Sequence, residues 1–322
     1  MFPPTVIRTG MVAALVCVLS FAMAAQTGRA GSPRTPWGDP DLQGTYTNTH
    51  EAGTPLERPD EFKGRKREDV TGEELATLRR AIQDRTIKQF LGPIHAPDNW
   101  WQPNLSLDKG SQAWFIVDPE DGRIPPLTAE AQRRTAARAA ARKDSGRGPA
   151  DSYTDRSLYD RCITRGMPGS MMPAIYGNQY EIVQAPGVVA IRYEMIHETR
   201  IIPVDGSRAD AARIPRHMGT ARGRWEGDTL VVETRGFRDE SAYRNANAAT
   251  LEVIERFTRT SPETVRWTVT IDDPETWTRP WTFSMPLTAD PVPVPSYECH
   301  EGNYGLANIL SAARAEERAA VR

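Results

Sequence analysis

Thr264-Val-Arg-Trp-Thr-Val-Thr-Ile-Asp272 alternates apolar and polar residues without a break. Successive side chains of a strand point to opposite faces, so Val265, Trp267, Val269 and Ile271 share one buried face while Arg266, Thr268 and Thr270 share the other. The same period of two runs outward in both directions. Upstream, Leu251, Val253 and Phe257 alternate with Glu252, Ile254 and Arg256, and Leu230 and Val232 alternate with Thr229, Val231 and Glu233. Downstream, Trp281, Phe283, Met285 and Leu287 enclose Thr282 and Ser284. Trp225-Glu-Gly-Asp-Thr229 has the composition of a tight hairpin turn.

Further strands are expected over 180–184, 188–193 and 197–204, the first two joined by Ala185-Pro-Gly187, with others near Tyr46 and Phe115. The total is about ten strands in a meander, which predicts a mainly β chain folded as an antiparallel up-and-down barrel with a few peripheral helices. Those helices begin after the capping box Thr71-Gly-Glu-Glu74, span 128–143, and close the chain around Leu306, Ile309, Leu310 and Ala313.

The first residues have the form of a secretory signal. Arg8 supplies the positive end, 11–21 the apolar run and Ala22-Met-Ala24 a small-x-small cleavage site. The apolar run is too short for a membrane-spanning helix. The expected organisation is therefore a signal peptide over 1–24, an extended lead-in with the first strand over 25–60, and one barrel domain over 61–322. The location expected is periplasmic or secreted. In such an oxidising compartment, the two remaining cysteines, Cys162 and Cys299, have no CxxC spacing and are expected to form one disulfide.

Removing Arg8 with the signal leaves 39 basic residues (40 less one) against 42 acidic ones. That balance gives no electrostatic case for a nucleic-acid partner. The partner expected is a small molecule. No HExxH, EF-hand, CxxC, GxSxG, P-loop or Rossmann pattern occurs, so neither a metal nor a nucleotide cofactor is expected. The helix over 128–143 is locally basic through Arg133, Arg134, Arg138, Arg142 and Lys143. It reads either as a solvated surface helix or as a contact for an anion.

One residue breaks the apolar pattern. Glu255 falls on the face of Leu251, Val253 and Phe257, where a carboxylate must be paired, protonated or used. His197 falls on a face with Tyr193, Met195, Thr199 and Ile201, while Glu194, Glu198 and Arg200 form a charge ladder on the opposite face. A His–carboxylate pair inside a barrel would serve as general base and orienting acid, or as a buried pair fixing strand register. Near the end of the chain, His300, Glu301 and Tyr304 follow Cys299, and read as proton-transfer groups at a barrel mouth or as a turn before the last helix. Trp277, Arg279 and Trp281 alternate, and read as an aromatic ligand wall or as core. The functional expectation is an exported acid/base enzyme of lyase, isomerase or hydrolase type acting on a small aromatic or sugar-derived molecule, using His197, Glu255, His300 and Tyr304. A periplasmic binding protein without catalysis is the alternative.

Several segments also carry a resemblance: Pro36-Trp-Gly-Asp-Pro-Asp-Leu-Gln-Gly44, Thr54-Pro-Leu-Glu-Arg-Pro59, Arg222-Gly-Arg-Trp-Glu-Gly-Asp-Thr-Leu-Val-Val-Glu-Thr234, the stretch over 273–281, and Cys299-His-Glu-Gly-Asn-Tyr304. Together they resemble a family of secreted bacterial proteins of uncharacterised activity. The resemblance implies export and a lipocalin-like, or calycin-like, β-barrel. It assigns no catalytic residue.

Overall fold

Alternation in the sequence becomes a ten-stranded sheet that curls into a nearly closed barrel. The computed structural model describes residues 33–91, 109–174, 176–205 and 214–320, without the side chains of 87, 89–91 and 197. The signal segment and the Trp100-Trp101 stretch lie outside these residues. The strands are β1 (Gly44–Thr47), β2 (Ile116–Asp118), β3 (Gln179–Ala185), β4 (Val188–Tyr193) and β5 (Thr199–Pro203). They continue as β6 (Thr220–Glu226), β7 (Thr229–Arg235), β8 (Glu252–Ser261), β9 (Thr264–Asp272) and β10 (Trp281–Ala289). Helices α1 (Gly72–Leu91), α2 (Ala129–Asp144) and α3 (Tyr304–Ala320) accompany them.

Neighbours in the sheet run β5-β4-β3-β1-β10-β9-β8-β7-β6, with every ladder antiparallel. β1 is the keystone: it joins the two meanders by pairing with β3 on one side and β10 on the other. The short β2 shares that edge of β10 further along. At the seam, β5 and β6 lie side by side without a ladder among the described residues, and both run in the same sense away from the loop-rich end. Gly223 of β6 makes the close approach possible, because a Cβ there would stand 3.0 Å from Ile202 of β5.

The two ends of the barrel differ. At one, Pro186-Gly187, Gly227-Asp228 and Pro262-Glu263 turn the chain in two residues each. At the other, the connections are long: 194–198, 236–251, 273–280 and the segment over 157–178 that leads into β3. Binding groups concentrate on such loops when a rigid scaffold carries them.

Every apolar face predicted from β7 to β10 points inward. Leu230, Val232, Val253, Phe257, Val265, Trp267, Val269, Ile271, Trp281, Phe283, Met285 and Leu287 belong to one buried cluster. Tyr46, Tyr180 and Tyr193 close it from the other side. A lipocalin-like barrel invites the expectation of a hollow interior, but large aromatic side chains fill this one. α1 starts where the capping box predicts, and packs Leu75 and Leu78 on Phe62, Val70 and Trp114. Its Glu74 bonds Arg65 at 2.5 and 2.8 Å. Cys162 and Cys299 form the expected disulfide. Among the described residues, no helix is long and apolar enough to cross a membrane.

Candidate functional site

Glu255 lies inside the barrel with both oxygens engaged. Its Oε1 accepts from Trp267 Nε1 at 3.1 Å, and its Oε2 accepts from Arg200. Arg200 reaches across from β5 and is 5% exposed, while Glu255 is 0% exposed. The other guanidinium nitrogen donates to Met167 Sδ at 3.2 Å and approaches the Tyr193 hydroxyl at 3.4 Å. Burial works against charge on Arg200, but the Glu255 carboxylate and the Tyr193 phenol outweigh it and push the net shift upward. Burial also raises the Tyr193 phenol, so it stays protonated. With one oxygen held by an indole and the other by a guanidinium in a packed core, Glu255 is a buried ion pair and is 0% exposed.

Arg200 corrects the expected faces. The predicted strand over 197–204 begins two residues later, because Met195–His197 forms a short 3₁₀ turn with Ile196 at φ 60°. That turn resets the alternation, so Arg200 and Ile202 point inward while Ile201 is exposed. The expected outer charge ladder is thus broken: Arg200 is a core residue. The carboxylate's described partners are Arg200 and Trp267; the His197 side chain lies outside the described residues.

The aromatic wall is corrected as well. Trp277 and Trp281 are buried, with ring centroids 5.8 Å apart, and Trp281 packs on Phe283 and Tyr243. Arg279 points outward and pairs with Asp118 at 2.7 Å. The reason is local: Thr276 and Trp277 both donate backbone N–H groups to Asp273 O, so 273–280 turns instead of extending. The two tryptophans are core, with no face shared with Arg279. His300, Glu301 and Tyr304 are all exposed, Tyr304 by 75%, beside the disulfide at the start of α3. They form no enclosed site.

A cavity of about 930 Å³ opens at the loop-rich end of the barrel. Its wall combines Tyr159, Tyr176, Tyr243, Met167 and Met172 with two guanidiniums, Arg165 and Arg244. Met167 is the floor, separating the cavity from the Arg200–Glu255 pair that its sulfur touches. The Tyr159 and Tyr176 hydroxyls meet at 3.2 Å, with Tyr297 beside them. Burial first, and then the Tyr176 hydroxyl, push the Tyr159 phenol upward. The Tyr297 phenol is also raised, mainly by burial.

Arg165 lies over the Tyr159 ring, 5.6 Å from its centroid. Its Nη1 is buried without a hydrogen-bond partner. Neither Arg165 nor Arg244 forms an ion pair among the described residues, whereas the lining carboxylate Glu240 is taken by Arg238 at 2.6 Å. Below them Thr164 donates to Glu198 Oε2 at 2.8 Å, and burial holds that carboxyl above the usual carboxylate range. The cavity is thus aromatic and thioether-lined, with an excess of positive charge.

Four non-glycine residues on the connections carry backbone strain, and Arg244 among them lines the cavity. Cys162, Ile196, Arg244 and Asn245 take left-handed φ values of 55°, 60°, 52° and 61°. Such residues persist only where surrounding contacts over-determine them, and they cluster at ligand sites. The disulfide pins one of them.

Sequence patterning missed Tyr159, Arg165, Tyr176, Tyr243 and Arg244 because they lie on aperiodic connections. The one available signal was the concentration of Tyr and Arg around Cys162. Among the described residues, no group of three or more His, Cys, Asp or Glu side chains is placed to hold a metal. No family model, curated protein or solved structure matches the chain.

Proposed function

We propose that this is an exported binding protein whose loop-rich end holds a small aromatic molecule carrying an acidic group. The observation that carries the reading is the mouth cavity, where three tyrosines and two methionines line a wall with two guanidiniums that have no ion-pair partner among the described residues. Flat apolar ligands gain from phenol and thioether walls, and a guanidinium over an aromatic ring is suited to a carboxylate at the ligand's edge. The volume suits a drug-sized ligand. The disulfide, the amino-terminal signal pattern and the resemblance to secreted lipocalin-like proteins support export. Lyase, isomerase or hydrolase chemistry at Glu255 is left out of this reading, because Trp267 and Arg200 occupy its oxygens.

The test is titration calorimetry against a panel of aromatic carboxylates, their amides and neutral sugars. Gly169 borders the cavity, and a Cβ there would meet nothing within 4 Å, so Gly169→Trp fills the space without disturbing the core. Wild type should bind an aromatic acid, Gly169→Trp should not, and Arg165→Gln should lose preference for the acid over its amide. Equal binding by wild type and Gly169→Trp would remove the cavity from the account.

A further inference from the structure

We infer that a second concavity, independent of the mouth, is a site for an oligoanion bearing phosphate or sulfate esters. It measures about 640 Å³ and lies between the C-terminal half of α2 and the segment over 146–148. Arg138, Arg142, Lys143 and Arg147 line it together with Gly148 and Asn245.

The ordinary explanation for a charged surface helix is a lattice of ion pairs, and this protein builds such pairs elsewhere. Arg80 of α1 bonds Glu73, and Arg314 of α3 bonds Glu317. On α2 itself, Arg133 bonds Glu130, and Arg134 donates to Thr276 Oγ1 at 2.6 Å. Arg138, Arg142 and Lys143 have no ion-pair partner among the described residues, and Arg147 shares its charge with Asp155 at 2.7 Å. Arg138 and Arg142 stand four apart, an arrangement that destabilises a helix where an acid at either place would stabilise it. The macrodipole favours cations in the last turn, which accounts for Arg142 and Lys143 but not for Arg138 a turn earlier or Arg147 beyond the end.

Small residues leave the space between these cations open. Ala139 and Gly146 border it, and a Cβ at Gly146 would meet nothing within 4 Å, so the guanidiniums surround a hollow instead of a packed contact; Gly148 stands at its edge, its N–H donating to Asp151 Oδ2 at 2.8 Å. Guanidiniums match the oxygens of phosphate and sulfate in paired hydrogen bonds, and several in one groove select ligands with more than one such group. The excess is local, since the chain as a whole is slightly acidic. Asn245 lines this groove and Arg244 the mouth, so two consecutive left-handed residues separate the sites.

The test uses full-length mature protein with tripolyphosphate and a fully sulfated disaccharide as probes, titrated calorimetrically at low and at physiological salt. Wild type should bind at least one probe saturably, and salt should weaken it. The double variant Arg138→Gln/Arg142→Gln should weaken binding by about tenfold or more, as loss of two charge-assisted contacts implies. Arg80→Gln, on α1, should leave binding unchanged, as should the mouth-filling Gly169→Trp. Tighter binding of one probe assigns the recognised group as phosphate or sulfate. Absence of saturable binding, or equal loss in the Arg80→Gln control, would overturn the assignment.

Discussion

Replacing Glu255 with Gln isolates the charge of the buried pair. Glutamine keeps nearly the same volume, and its carbonyl can still accept from Trp267 Nε1, the contact now made at 3.1 Å. What disappears is the negative charge facing Arg200, whose guanidinium is 5% exposed and cannot recover its hydration. An uncompensated charge of this kind costs about 3–5 kcal/mol. For a chain of this size that corresponds to a fall in Tm on the order of 6–10 °C. Replacing both residues, as Arg200→Met with Glu255→Leu, removes the stranded charge and should recover most of the loss. The assay is urea unfolding of the oxidised protein followed by tryptophan fluorescence, with Trp267 reporting directly beside the pair. A single variant costing less than about 1 kcal/mol, or a double variant as unstable as the sum of the singles, would refute the argument.

Other expectations follow from the same geometry. Burial raises the Glu198 carboxyl, so its charged form costs stability at neutral pH, and that cost vanishes as pH falls through the raised pKa toward 4.5. Glu198→Gln should therefore exceed wild type in stability at neutral pH by a margin that closes on acidification; a margin that widens would contradict this. The disulfide spans 137 residues and should contribute about 5 kcal/mol by restricting the unfolded chain, measured as the difference between oxidised protein and Cys162→Ser/Cys299→Ser in urea. Gly177 has φ 75°, and a Cβ there would stand 2.1 Å from Met195, so Gly177→Ala should cost about 1–3 kcal/mol while Gly169→Ala changes Tm little. Equal melting of the two alanine variants would show that the Gly177–Met195 contact carries no constraint.

The strands from β7 to β10 were legible because one face of each is apolar, whatever the length of the connection between them. Period two then sets every orientation, and Glu255 stood out by falling on the wrong residue type for its face. The cysteine pair was legible from there being two cysteines left, without CxxC spacing, once export was expected. The partner of Glu255 was not. Arg200 is reached through a turn containing Ile196 at φ 60°, and one irregular residue flips all later side chains relative to the strand before it. Trp277 misled for a related reason: backbone bonds to Asp273 coil the segment, so alternation in sequence does not become a shared face. The mouth is assembled from residues far apart in the chain, on connections without a period, and only the barrel's closure brings Tyr159, Arg165 and Tyr243 together.

A crystal structure of the protein with the tightest-binding aromatic acid tests the mouth site without intermediaries. Ligand density is expected among Tyr159, Tyr176 and Tyr243, with its carboxylate at Arg165 or Arg244 and the Arg200–Glu255 pair unchanged beneath Met167. Density inside the barrel against Glu255, or anywhere away from this mouth, would contradict the proposal.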